Sequence, residues 1–178
     1  MNKKFELTTI SIVCHGKKLY RIKALKSFGD VKVDDLGGFV ESENNLSQNG
    51  NSWIYDNAKI YEKAKIFGNA KVFNNANVFG NAMVYDNAVV YDNVAIFDNA
   101  AVYGNATIYD NATIFEYAVV YDNATVFGNA KVFGDSVVSE NGVVCEDGVV
   151  CGNDIVYDTI CVTNTLAWIT TVELDSML

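Results

Sequence analysis

The residues able to do chemistry are few and unevenly placed. The chain has one histidine, His15, and four cysteines, Cys14, Cys145, Cys151 and Cys161. One imidazole cannot supply a three-histidine metal site, and the cysteine spacing is not a zinc signature. What recurs is carboxylate. Asp56, Asp92, Asp110 and Glu146 stand at multiples of eighteen residues, with Asn74 and Gly128 in the slots between. Asp86, Asp122, Glu140 and Asp158 form a second series, interrupted by Gly104. Carboxylate columns attract cations or basic proteins, and no calcium-loop repeat accompanies these. The expectation is therefore no catalytic residue, no metal and no cofactor.

The eighteen-residue spacing follows from a shorter beat. Every sixth residue from Ile54 to Val162 is Val or Ile, without an insertion. A period of six suits neither an α-helix nor a hairpin sheet, so the chain is a solenoid. With the Val/Ile position numbered one, position two is Tyr or Phe from Tyr55 through Phe133. Position three is Gly, Asp, Asn or Glu, position four mostly Asn, position five mostly Ala. Asn tolerates left-handed backbone, so positions three and four form a corner. The strand is then Ala-x-Val-aromatic, as in Ala70-Lys71-Val72-Phe73, with Ala and Val inward. The absence of proline leaves every backbone amide free to join a ladder.

This pattern resembles the hexapeptide-repeat left-handed β-helix family, in which three hexads make one triangular coil. The resemblance implies an all-β fold: a single-stranded left-handed parallel β-helix of about six coils over 54–162. Residues 1–53 would form an N-terminal β-hairpin and capping segment, and 163–178 a short C-terminal β segment. The hairpin reads from Phe5–Val13, the turn His15-Gly16-Lys17-Lys18, and Leu19–Leu25. Val40, Leu46 and Ile54 approach the six-residue beat and enter it, as an imperfect first coil would. The apolar stretch around Trp168 is either a cap on the far end or an oligomerisation tail. Enzymes of this family are acyltransferases, with a histidine base and loops that build the acyl-donor pocket. Here His15 lies far from the repeats and no loop interrupts them. The segment Leu36–Ser47 followed by such repeats also resembles hexapeptide-repeat proteins of phage and prophage genomes, which implies a mobile-element origin.

Residues eighteen apart stack on one face, giving three aromatic ladders that brace the solenoid or serve as a contact surface. Beside the ladder Phe67, Tyr85, Tyr103, Tyr121 the outward residues are apolar. Met83, Tyr85, Tyr103, Val119, Tyr121, Val137 and Ile155, with Trp168 of the tail, are the candidate interface of a dimer or trimer or of a partner complex. Net charge is −9, and residues 54–162 carry fourteen Asp and Glu against five Lys and Arg. That balance excludes direct binding to nucleic acid or anionic membrane and favours a basic protein surface. Met1-Asn2-Lys3-Lys4 is followed by alternating residues rather than an apolar segment, and no run is long enough to span a bilayer. A cytoplasmic location with reduced thiols is expected. The functional expectation is a non-enzymatic acidic binding protein, such as a phage-encoded inhibitor of a host nucleic-acid-handling (defence) protein that acts by occupying a basic surface. The alternatives are a structural or assembly oligomer, and an acyl or sugar transferase.

Overall fold

The computed structural model describes residues 3–162. The repeat closes into a three-sided, single-stranded parallel β-solenoid of about seven turns, with no α-helix among the described residues. Each turn places one two-residue strand on each face. Face I carries Lys59–Ile60, Asn77–Val78, Ala95–Ile96, Thr113–Ile114, Lys131–Val132 and Val149–Val150. Face II runs from Lys65–Ile66 through Met83–Val84, Ala101–Val102, Val119–Val120 and Val137–Val138 to Ile155–Val156. Face III runs from Trp53–Ile54 through Lys71–Val72 and Val89–Val90 to Val143–Glu146 and Thr159–Val162. Residues eighteen apart are partners, as in Lys71↔Val89 and Val89↔Thr107. The backbone N–H of residue i donates to the carbonyl of residue i+17, as in Lys71 to Ala88 (3.0 Å), Phe73 to Val90 (2.9 Å) and Asn75 to Asp92 (3.0 Å). The Val/Ile of position one and the Ala of position five are fully buried and fill the axis.

The corner falls at positions three and four, as expected. Its left-handed residue is position three: φ is +52° at Asp56, +63° at Asp92 and +61° at Asp110. The Asn of position four has another use. Its side-chain amide donates to the Asn one turn on, in the chains Asn69→Asn87→Asn105→Asn123 and Asn75→Asn93→Asn111→Asn129. The second chain ends where Asn129 donates to Asp147, a side chain that only accepts.

The N-terminal residues extend face I and pack Phe5, Val31 and Phe28 against the first turn. Strand β1 (Phe5–Cys14) pairs antiparallel with β2 (Lys17–Ala24) through the tight turn His15-Gly16, where both φ values are positive. β2 pairs antiparallel with β3 (Leu36–Val40), and β3 runs parallel to Lys59–Ile60. This makes a nine-stranded sheet and supplies the turn that raises the count above six. Leu46 bridges to Ile66, so the imperfect first coil is real. Trp53 closes the axis between Phe5 and Phe28, with ring centroids 6.3 and 5.4 Å away. Gly37 and Gly38 allow β3 to approach: a Cβ on Gly37 would lie 2.6 Å from Ile22 Cγ1 and 2.7 Å from Trp53 Cζ2. The loop before β3 is tied to face III where Lys71 and Tyr55 both donate to Asp30, and the hydrogen bond from Lys71 holds that carboxyl below its usual range.

The far end breaks phase. Val137↔Ile155 keeps the eighteen-residue spacing, but Val143↔Thr159 and Val144↔Ile160 are sixteen apart. Two corner residues are missing from the last turn, so Ile160, not Val162, lies opposite Val144 and packs against the core. Counting by sixes had put Cys161 at position six. The shift puts it beside Cys145, with Cα atoms 4.7 Å apart, and the two form a disulfide. The expectation of four reduced thiols is corrected to two, Cys14 and Cys151. Trp168 and the segment 163–178 lie outside the described residues.

Lys4 anchors the first turn. It is fully buried, and its ammonium donates to the Ser52 carbonyl (2.9 Å) and hydroxyl (3.3 Å) and faces the Phe28 ring. Burial, aided by the charge of Lys26, pushes its pKa down to about 8. An unfolded lysine titrates near ~10.4, so between about pH 8 and 10 the unfolded chain binds more protons and stability rises with pH. Above about pH 10 the sign reverses, because Tyr61 is pushed up to about 12 by burial and ionises first in the unfolded chain. Urea midpoints are expected to rise from pH 8 to 10 and fall beyond it, and Lys4→Met is expected to remove the rise.

Candidate functional site

The solenoid has three corners, and each carries carboxylates at position three. Between faces III and I stand Asp56, Asp92, Asp110 and Glu146; between faces II and III, Asp86, Asp122 and Glu140; between faces I and II, Glu62, Asp98 and Glu116. Asp158 does not join its series. The shortened last corner gives it the backbone role that position five has elsewhere: its carbonyl accepts from Val143, and its carboxylate accepts from the Thr159 N–H.

These carboxylates have a structural task that the sequence did not reveal. The N–H of position three has no partner in the i+17 ladder among the bonds of the regular turns. Asp56 accepts from the Asn74 N–H (3.2 Å), Asp110 from Gly128 (3.2 Å), and Asp122 from Glu140 (3.3 Å). Glu62 and Glu116 do the same for Gly80 (2.9 Å) and Gly134 (2.8 Å). An acidic residue in left-handed backbone carries a conformational cost, which a charge-assisted hydrogen bond offsets. Asp92 accepts instead from the side chain of Asn74 (2.7 Å). The columns therefore hold their carboxylates at a fixed repeat. Along the corner between faces III and I they line an open groove of about 360 Å³ with Asn57, Asn75, Asn93 and Asn111.

Two of the three aromatic ladders form as the spacing predicts, while the third is in two pieces, Tyr55–Phe73 at 4.2 Å and Tyr91–Tyr109–Phe127 at 5.0 and 4.8 Å. Tyr61, Phe79, Phe97, Phe115 and Phe133 stack without a gap at 4.8–5.1 Å, and Phe67, Tyr85, Tyr103 and Tyr121 at 4.7–5.0 Å. The rings are half-buried, so Tyr85, Tyr103 and Tyr121 offer edges rather than faces. Burial raises the Tyr85 and Tyr103 hydroxyl pKa values, with the nearby acidic charges adding to it. The rest of the candidate interface gathers on face II as expected: Met83, Val119, Val137 and Ile155 form one outward row. Met83 is 39% exposed and Ile155 48%. One member was missed. Tyr117 occupies position four beside this row and is 63% exposed. The signal was the break in the Asn column, Asn81, Asn99, Tyr117.

His15 is exposed, as a turn residue would be, but it does not lie far from the repeats. Its Nδ1 lies 3.2 Å from the Tyr61 hydroxyl and 3.4 Å from Cys14 Sγ, at the base of the continuous aromatic ladder. A second groove of about 530 Å³ lies nearby, lined by Lys17, Glu41, Ser42, Glu62, Lys63, Gly80 and Asn81. Among the described residues no group of three His, Cys, Asp or Glu is placed to hold a metal ion, and no helix is long and apolar enough to cross a membrane.

The coils carry the pattern of a known repeat. The YdcK beta solenoid repeat matches residues 76–92 and 106–122, each about one turn of Ala-x-Val-aromatic hexads. The chain is thus a β-solenoid repeat protein. No curated protein matches the sequence.

Because Asp110 caps the Gly128 N–H, its substitution separates charge from structure. Asp110→Asn keeps an acceptor and a residue that tolerates left-handed backbone, so thermal stability is expected to be nearly unchanged. Asp110→Ala is expected to cost about 1–2 kcal/mol in urea unfolding, from the lost cap and the strained corner.

Proposed function

We propose that this chain is a non-enzymatic binding protein that presents a rigid polyanionic rod to a basic surface of a nucleic-acid-handling protein. A phage-encoded inhibitor of a host defence protein would act in this way. The observation that carries the reading is charge density. From Val72 to Val162 twelve Asp and Glu stand against the single Lys131, a net −11. Five turns at ~4.8 Å span about 24 Å, or roughly one charge per 2 Å of axis. Double-stranded DNA carries about one per ~1.7 Å. Corner hydrogen bonds hold Asp92, Asp98, Asp110, Glu116 and Asp122 in place, so less side-chain entropy is lost at these positions when a basic groove closes on them.

A second reading is a structural or assembly oligomer, for which the unpartnered apolar row on face II is the support. An acyl or sugar transferase finds no support in the uninterrupted coils.

The test is a pull-down of the tagged chain from nuclease-treated host lysate. Enrichment of a nucleic-acid-handling protein is expected, with loss of about tenfold or more when Asp92 and Asp110 are both changed to Asn. Equal capture by that variant, or recovery of the chain alone, would contradict the reading.

A further inference from the structure

Face II differs from its neighbours in what it turns outward. After Lys65, position six reads Met83, Ala101, Val119, Val137, Ile155 there without a polar residue, whereas Thr107 and Thr125 interrupt Val89 and Val143 on face III, and Asn77, Thr113 and Lys131 interrupt Ala95 and Val149 on face I. Tyr117 widens the strip at its centre. Carboxylates border it on both sides: Glu62, Asp98 and Glu116 on one corner, Asp86, Asp122 and Glu140 on the other. Five residues at ~3.3 Å separate the two columns by about 17 Å.

This border decides the occupant. Two copies packed face to face would lie ~10 Å apart. Carboxylate columns would then oppose carboxylate columns near the ~8 Å screening length of physiological salt. Only Lys63 and Lys65, in the first turn, would relieve the repulsion. An apolar ridge flanked on both sides by Lys or Arg meets the strip and both columns at once. We infer that face II is a docking surface for a basic protein element of this kind, centred on Tyr117 and Val119. The inference rests on the polyanion reading and adds the face and the apolar contact to it.

The probes are two helical peptides of equal length and charge. One has a leucine stripe flanked by lysines; in the other the leucines are alanines. Binding to the full chain is read by fluorescence anisotropy at low and physiological salt. The leucine peptide is expected to bind about tenfold tighter than the alanine peptide, the effect of burying a few apolar groups. The double variant Tyr117→Asn, Val119→Thr carries residue types that other turns hold at these positions, and it is expected to bring the two peptides within about threefold. Equal affinities for the unaltered chain would overturn the face assignment while leaving the polyanion reading standing, and this arm does not depend on the variant folding. Failure of both peptides to bind at low salt would overturn both. A dimer mass for the unaltered chain that becomes monomeric in the variant would give the face to a second copy and overturn the inference.

Discussion

The regular turns depend on one constraint: positions two, four and six must donate their backbone N–H to the residue seventeen on, turn after turn. The parallel strands of the regular turns are only two residues long, so none of them is stable by itself. Each is held by the turns before and after it. The constraint fixes the type of every position. Position one must be a β-branched residue that fills the axis, and position five must be small beside a tight corner. Position two must stack on its own counterparts at about 4.7–5.1 Å. A chain that repeats its backbone also repeats its side chains, and so any outward residue type becomes a column.

The acidic columns follow from this. A corner needs a left-handed residue and leaves one N–H without a ladder partner. Glycine solves the first problem, and an acidic side chain solves the second, as Asp56 and Glu62 do. The result is a rod whose carboxylates are ordered before any partner arrives. Structural and functional readings of Asp110 are thus not alternatives: the hydrogen bond that caps Gly128 also holds the charge in position.

The repeat was legible because it is periodic, and the exceptions were not, because they are local. The inward Val and Ile, the three ladders and the apolar row of face II follow from the six-residue beat. The last turn does not. Val162 keeps the beat in sequence, yet two residues are missing from its corner, so Ile160 lies opposite Val144 instead. The same shift removed Asp158 from its column and brought Cys161 to Cys145. The corner at positions three and four was legible, but the side-chain ladder that Asn87 and Asn105 form there was not. Gly37 and Gly38 read as loop residues, and their need to let β3 approach Ile22 and Trp53 on one side and Ile54 and Ala58 on the other appears only in three dimensions.

The account stands most directly on whether the rod occupies the place of nucleic acid. The measurement is competition. A nucleic-acid-binding protein captured by this chain is titrated with a labelled oligonucleotide duplex in the presence of increasing amounts of the chain. Mutually exclusive binding, weakening together as salt is raised, is the predicted result. A ternary complex in which the duplex stays bound at saturating chain would contradict the claim.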